Sequence, residues 1–158
     1  MKNKEVEDFP ISASQYCSMI ENFESYNENN KLRNLLISLL DMYAKAFSLP
    51  EVETQDDKVS PLDIPVPKVN FGQFDYYWEV FDPYHLEEPV GGSLTDDIVD
   101  IYKDVKKGIL LYERNEQVEA VWQWRFKFET HWGSHAVDAI RALHSAEYNA
   151  ISLTGTIA

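Results

Sequence analysis

Apolar residues recur along most of this chain with the period of an α-helix. From Leu32 to Phe47 they fall at Leu32, Leu35, Leu36, Leu39, Leu40, Tyr43 and Phe47, the stripe of one buried helix face, and Pro50 stops the run. Upstream, Tyr16, Met19, Ile20 and Phe23 keep helical spacing behind Ser12 or Ser14, either of which can cap a helix. Residues 1–11 read as a loose lead-in, and the run Tyr26 to Asn30 as a turn. Between 48 and 70 the periodicity disappears. Pro61, Pro65 and Pro67 mark an extended connector there, with Leu62, Ile64, Val66 and Val69 available to pack along the surface. A short aromatic helix is expected from Phe71 to Phe81, with Phe74, Tyr77, Trp78 and Phe81 on one face. Pro83 ends it, and a loop runs to Gly91-Gly92.

The second half is the more regular. Ser93, followed three residues later by Asp96, is a capping-box pattern. The helix it opens runs to about Glu113, with Leu94, Ile98, Ile101, Val105, Gly108 and Tyr112 along its seam. Those positions alternate by four and three, as in a bundle core. Gly108 on that seam predicts close approach by a neighbour, a tryptophan being the candidate. Arg114-Asn115 makes a tight turn, and Asn115 is available to cap the next helix. Helices joined so closely lie antiparallel. The expected fold is all-α: a single-domain antiparallel bundle of four or five helices over residues 1–158, with a Pro-rich connector and loosely ordered ends at 1–11 and 150–158.

Charge and composition narrow the function classes. The net charge is −13, with no basic stripe, so nucleic acid is not an expected partner. No apolar window reaches the ~20 residues of a membrane span, and MKNKEVEDFP has no apolar run. A soluble cytoplasmic protein without membrane contact is expected. The acidity itself reads first as a solubility device. The single cysteine, Cys17, rules out an intrachain disulfide and Cys-based zinc sites, and its apolar neighbours predict a buried, inert thiol. Neither a phosphate-cradling glycine loop nor a nucleophile motif occurs.

The chemistry concentrates in Val118 to His144, which holds three of the four tryptophans and three of the four histidines. The expected seam of that helix is Val118, Val121, Arg125, Phe128, Trp132, His135, Ala139 and Leu143. Aligning it antiparallel to the preceding helix places Val105 opposite Arg125, Ile101 opposite Phe128 and Glu129, and Asp97 near Trp132 and His131 or His135. An ionised group at a core edge needs a partner. Asp100 or Asp104 is expected to serve Arg125, Asp97 to serve His135, and Glu129 to pair with Arg125 along the helix. The candidate polar cluster is therefore Asp97, Asp100, Asp104, Arg125, Glu129, Trp132 and His135. Its first reading is a salt-bridge network fixing helix register. The alternative is a metal site: His131 and His135 are four residues apart, Asp138 follows on the same flank, and Asp97 completes a mixed nitrogen and oxygen set suited to zinc, iron or manganese. An acid–base role for His131 or His135 is the weaker catalytic alternative. Rings at Tyr76, Tyr77, Trp78, Trp122 and Trp124 exceed what one seam needs, with Trp124 off the seam on the histidine flank, and suggest a protein-binding patch.

The residues from Phe81 to His144 also carry a resemblance. Phe81-Asp82-Pro83, Gly92-Ser93-Leu94, Asp96-Asp97, Asp100-Ile101-Tyr102, Asp104 and Gly108 are matched. So are Trp122, Trp124-Arg125, Phe128-Glu129, His131-Trp132-Gly133, His135, Asp138, Ala139 and Arg141-Ala142-Leu143-His144. In these the chain resembles the bacterial family catalogued as domain of unknown function 5063. The resemblance implies a helical bacterial protein of this size and brings no activity. The first expectation for function is thus a non-enzymatic bacterial protein acting through a protein partner and needing no cofactor. The second is a metal-binding bundle with possible hydrolytic activity.

Overall fold

The computed structural model describes residues 4–25, 30–54 and 62–153. The described residues form five helices and one small hairpin: α1 (Lys4–Glu21), α2 (Lys31–Ala46), β1 (Tyr76–Glu79), β2 (Val90–Ser93), α3 (Leu94–Glu113), α4 (Gln117–Lys127) and α5 (Gly133–Leu153). A π-helical turn, Phe128–Trp132, joins α4 to α5 without a break. Helix α1 packs on α2 and α3, and α5 packs on both α2 and α3. The fold is predominantly α-helical, as the periodicity predicts.

Helix α1 begins eight residues ahead of the expected Ser12 cap, so residues 4–11 are not a loose lead-in. Burial explains this. Val6 and Phe9 lie in the core, and Phe9 packs against Trp124 and Trp132 with ring centroids 4.9 and 6.2 Å away. Pro10 is carried inside the helix at the expense of one backbone donor. Ser12 is buried and ties α1 to α2: its hydroxyl donates to Asp41 at 2.6 Å and accepts from Lys45 at 2.7 Å. Residues 26–29, most of the expected YNENN turn, lie outside the described residues, as do Pro61 and residues 154–158.

In α2 the buried line runs through Leu35, Leu39, Met42 and Ala46, one step round from the centre of the expected stripe, leaving Leu40 and Phe47 exposed. Helix α3 buries Leu94, Ile98, Ile101, Val105 and Gly108 as expected, and the Ser93 hydroxyl accepts from the Asp96 amide at 3.3 Å. Trp124 occupies the space beside Gly108. A methyl group there would lie 2.0 Å from the indole Nε1, which donates to the carbonyl of Val105 at 3.0 Å. Asn115 turns the chain with φ 64° but makes no cap; Glu116 precedes α4, with no side-chain cap bond.

The expected aromatic helix at 71–81 is not formed. A single 3₁₀ turn, Gly72–Phe74, leads into β1, which pairs antiparallel with β2 in the register Tyr76↔Ser93, Tyr77↔Gly92, Trp78↔Gly91, Glu79↔Val90. Gly91-Gly92 is therefore strand rather than loop. Alternation places Tyr77 and Glu79 inward and exposes Tyr76 and Trp78, so the four aromatic residues do not share a face. Aromatic and β-branched residues fit a pleated surface well, and Gly92 lets the Tyr77 ring lie across the partner strand: a methyl there would come within 2.6 Å of it. Asp75 fixes the hairpin to α3, accepting from the Thr95 amide at 2.9 Å and its hydroxyl at 2.6 Å. The connector residues Val52, Leu62, Ile64 and Val69 pack on the core.

Candidate functional site

The π turn decides which side chains of the long C-terminal helix face the core. It adds a residue to one turn, so a seam extrapolated at constant spacing is displaced along α4. Trp124 is fully buried where Arg125 was expected, and Trp132, Ala136, Ala139 and Leu143 continue the core line after the turn. The Trp132 indole donates to the carbonyl of Trp124 at 2.9 Å. Gly133 makes the turn possible: its amide donates to the Phe128 carbonyl, and a methyl on Gly133 would lie 2.2 Å from that oxygen.

Two histidines leave the turn toward α3, and each is held through Nδ1. His131 Nδ1 lies 2.5 Å from Asp104 Oδ2, and His135 Nδ1 lies 2.7 Å from Asp97 Oδ1. A carboxylate only accepts, so the imidazole nitrogen is the donor in both pairs. The other oxygen of Asp97 accepts from the Tyr77 hydroxyl of β1. Nε2 of His135 lies 3.3 Å from Asp100 Oδ2, and the two rings meet edge-on with centroids 4.8 Å apart. One ligand atom from each of Asp100, His131 and His135 falls within 4.8 Å of the others. Exposure is graded: the Asp97 and Asp104 side chains are 6% and 13% accessible, those of His135, Asp100 and His131 27%, 35% and 40%. The Asp97 carboxylate is thus buried and that of Asp104 partly buried, each less accessible than the imidazole it holds.

Tyr77, Asp97, His131 and His135 border an open cleft of about 710 Å³ between the hairpin and the π turn, whereas Asp100 and Asp104 do not line it. Glu79, Asp138, Phe47 and Phe128 also line it. The hydrogen bond to Asp97 raises the His135 pKa despite partial burial. Burial and the adjacent Asp138 carboxyl push Glu79 up to about 7, and burial likewise raises Asp138.

The structure brings Asp97, Asp100, Asp104, His131 and His135 together and separates the rest of the expected cluster. Arg125 meets neither Asp100 nor Asp104. It binds the carbonyl of Leu49, Glu51 at 3.2 Å and, as expected, Glu129 at 3.2 Å, clamping the chain after α2 onto α4. The shift of the seam is the reason. Trp132 is a core residue. Asp138 pairs with Glu79 instead of joining the histidines, and Asp97 is occupied by His135 and Tyr77, so the third potential ligand is Asp100. Trp124 is core rather than surface, and Trp122 stacks on Phe126 at 4.7 Å. The parts missed in the sequence are Tyr77 and Glu79 as site residues. The alternation of Tyr76–Glu79 was their signal, and it became legible only once the segment was a strand. Cys17 is buried, as expected, and burial raises its thiol pKa.

No helix among the described residues is long and apolar enough to cross a membrane. No match to a curated protein was found. Among solved structures, the crystal structure of protein BF1032 from Bacteroides fragilis, a structural genomics target, is similar with a TM-score of 0.75. Its identity is 23%, covering 92% of this chain and 94% of that one, which supports a shared fold. Residues 1–149 match the family described as Domain of unknown function (DUF5063), and the chain belongs to that family.

Proposed function

We propose that a divalent transition-metal ion, zinc, iron or manganese, binds beside the cleft through His131, His135 and Asp100, with Asp104 and Asp97 orienting the imidazoles. The observation that carries this reading is the fixing of both histidines through Nδ1 by carboxylates less accessible than the rings they hold. Metal-ligating histidines almost always donate their other ring nitrogen in this way. It leaves Nε2 of each as the donor for an ion. Unprotonated Nε2 of His135 and Asp100 Oδ2, 3.3 Å apart, are both acceptors, so their approach calls for a positive charge between or upon them. Tetrahedral ligands at ~2.0–2.2 Å stand about 3.4 Å apart, close to that separation. The mixed nitrogen and oxygen set suits zinc, iron or manganese.

Three protein ligands leave a coordination position open, the pattern of catalytic rather than structural zinc sites. Held by these residues, such an ion would supply Lewis acidity and activate water near neutral pH, so hydrolysis is the reaction class this site would serve. The test is equilibrium dialysis of metal-free protein against Zn²⁺. One equivalent bound by the wild type, and lost in His131→Ala and His135→Ala with helicity retained, supports the reading. Equal uptake by the variants refutes it.

A second reading, protein contact, is favoured by the hairpin. Tyr76, Trp78 and Phe81 are 83%, 77% and 81% exposed, and a net charge of −13 suits a basic partner. A photo-crosslinking residue at position 78 that traps a defined protein in cells supports it; absence of any adduct opposes it.

A further inference from the structure

Oε2 of Glu79 is buried and has no hydrogen-bond partner among the described residues. A buried acceptor without a donor is costly, and a native one calls for an explanation. Glu79 interacts directly with Asp138, and both carboxyls line the cleft. Asp96, Asp97 and Glu129 add acidity to the wall. No lysine or arginine is among the described residues that line it, and Arg141 lines the adjoining groove instead. Phosphate and carboxylate groups are ordinarily received by arginine forks or lysine, so this wall is built against anions. Tyr43, Phe47 and Phe128 also line the cleft as an edge-to-face trio, with centroids 5.0–5.3 Å apart, giving it an apolar section with electron-rich faces.

We propose that the cleft takes a ligand bearing a nitrogen cation with N–H donors, an ammonium or guanidinium seated on Glu79 and Asp138, and an apolar arm received by Tyr43, Phe47 and Phe128. The cation supplies the donor that Oε2 of Glu79 lacks and bridges the two neighbouring carboxyls. This names the substrate class of the proposed metal site and rests on that site only for chemistry at the ion. Seating of the cation does not require the metal.

Benzylguanidinium and benzylurea are nearly isosteric and differ in charge, so they test the proposal. Calorimetric titration is made with metal-free and zinc-loaded wild type, and with Glu79→Gln and Asp138→Asn, the metal content of every sample being measured. The cation is expected to bind about tenfold more tightly than the urea to wild type with or without zinc, the worth of one charge-assisted hydrogen bond. In both folded variants that preference is expected to shrink to about twofold or less, with zinc content unchanged. Equal affinity for the two probes, or a preference that survives both substitutions, overturns the proposal. Failure of the metal reading registers separately, as zinc missing from the loaded samples.

Discussion

Nδ1 of His135 in α5 lies 2.7 Å from Oδ1 of Asp97 in α3, and the second oxygen of that carboxylate is held by Tyr77 of the hairpin. One buried aspartate therefore aligns an imidazole from one element with a hydroxyl from another. If it orients a metal ligand, Asp97→Asn should weaken zinc binding by about 10–100-fold while the helices persist, the usual cost of removing such a support. Tyr77→Phe should act in the same direction and less strongly. Competition against a chelating dye checks both.

The protonation of the site sets a second expectation. His135, Glu79 and Asp138 all have raised pKa values when folded. Each then holds its proton to higher pH in the folded state than in the unfolded chain. Their contribution is full below the unfolded values, about 6.5 for His and 4 for the carboxyls, and is lost as pH rises through the folded ones. Glu21 and Asp41 behave oppositely. Burial opposes ionisation of Glu21, but hydrogen bonds from Tyr102 and Lys106 outweigh it. The hydrogen bond from Ser12 leads the lowering of Asp41. Their contribution is lost in acid. The metal-free protein should melt highest near about pH 5 and progressively lower toward pH 8. Glu79→Gln should flatten that decline. A melting temperature that climbs from pH 5 to 8 would contradict the assignment.

Two glycines hold the frame in place by what they lack. Alanine at 108 gains about 1 kcal/mol of helix propensity but drives a methyl into the Trp124 indole, so a net loss of about 1–2 kcal/mol is expected by denaturant unfolding. Alanine at 133 meets the Phe128 carbonyl and should disturb the π turn. Its loss of about 1–3 kcal/mol should come with weaker zinc binding, whereas Gly108→Ala should leave zinc binding near normal.

Arg125 separates frame from site in the opposite sense. Its bonds go to Leu49, Glu51 and Glu129, away from the histidines. Arg125→Ala should cost about 1–3 kcal/mol, as for lost hydrogen bonds of a charged group, with zinc stoichiometry unchanged. Loss of metal in this variant would mean that the two regions are coupled.

The α3 seam and the pairing of His135 with Asp97 were legible from sequence because regular helices make spacing a measure of space. Two local departures hid the rest. The π turn displaced the buried line from Arg125 to Trp124, and no count at constant spacing detects one added residue. Phe74, Tyr77, Trp78 and Phe81 are spaced as in a short helix, yet Asp75 anchors the segment to Thr95 and Gly91-Gly92 offers Tyr76–Glu79 a strand partner without side chains. Those are contacts between segments, and they place Tyr77 and Glu79 in the cleft. The start of α1 at Lys4 likewise depends on Phe9 meeting tryptophans over a hundred residues away.

The central claim is that an ion sits between His131, His135 and Asp100. Crystals of the protein soaked in zinc chloride and measured above the zinc absorption edge test it most directly. The expected result is a dominant anomalous peak about 2.0–2.2 Å from one imidazole nitrogen of each histidine and one Asp100 oxygen. A map with no peak there, or with zinc only on carboxylates elsewhere, would contradict it.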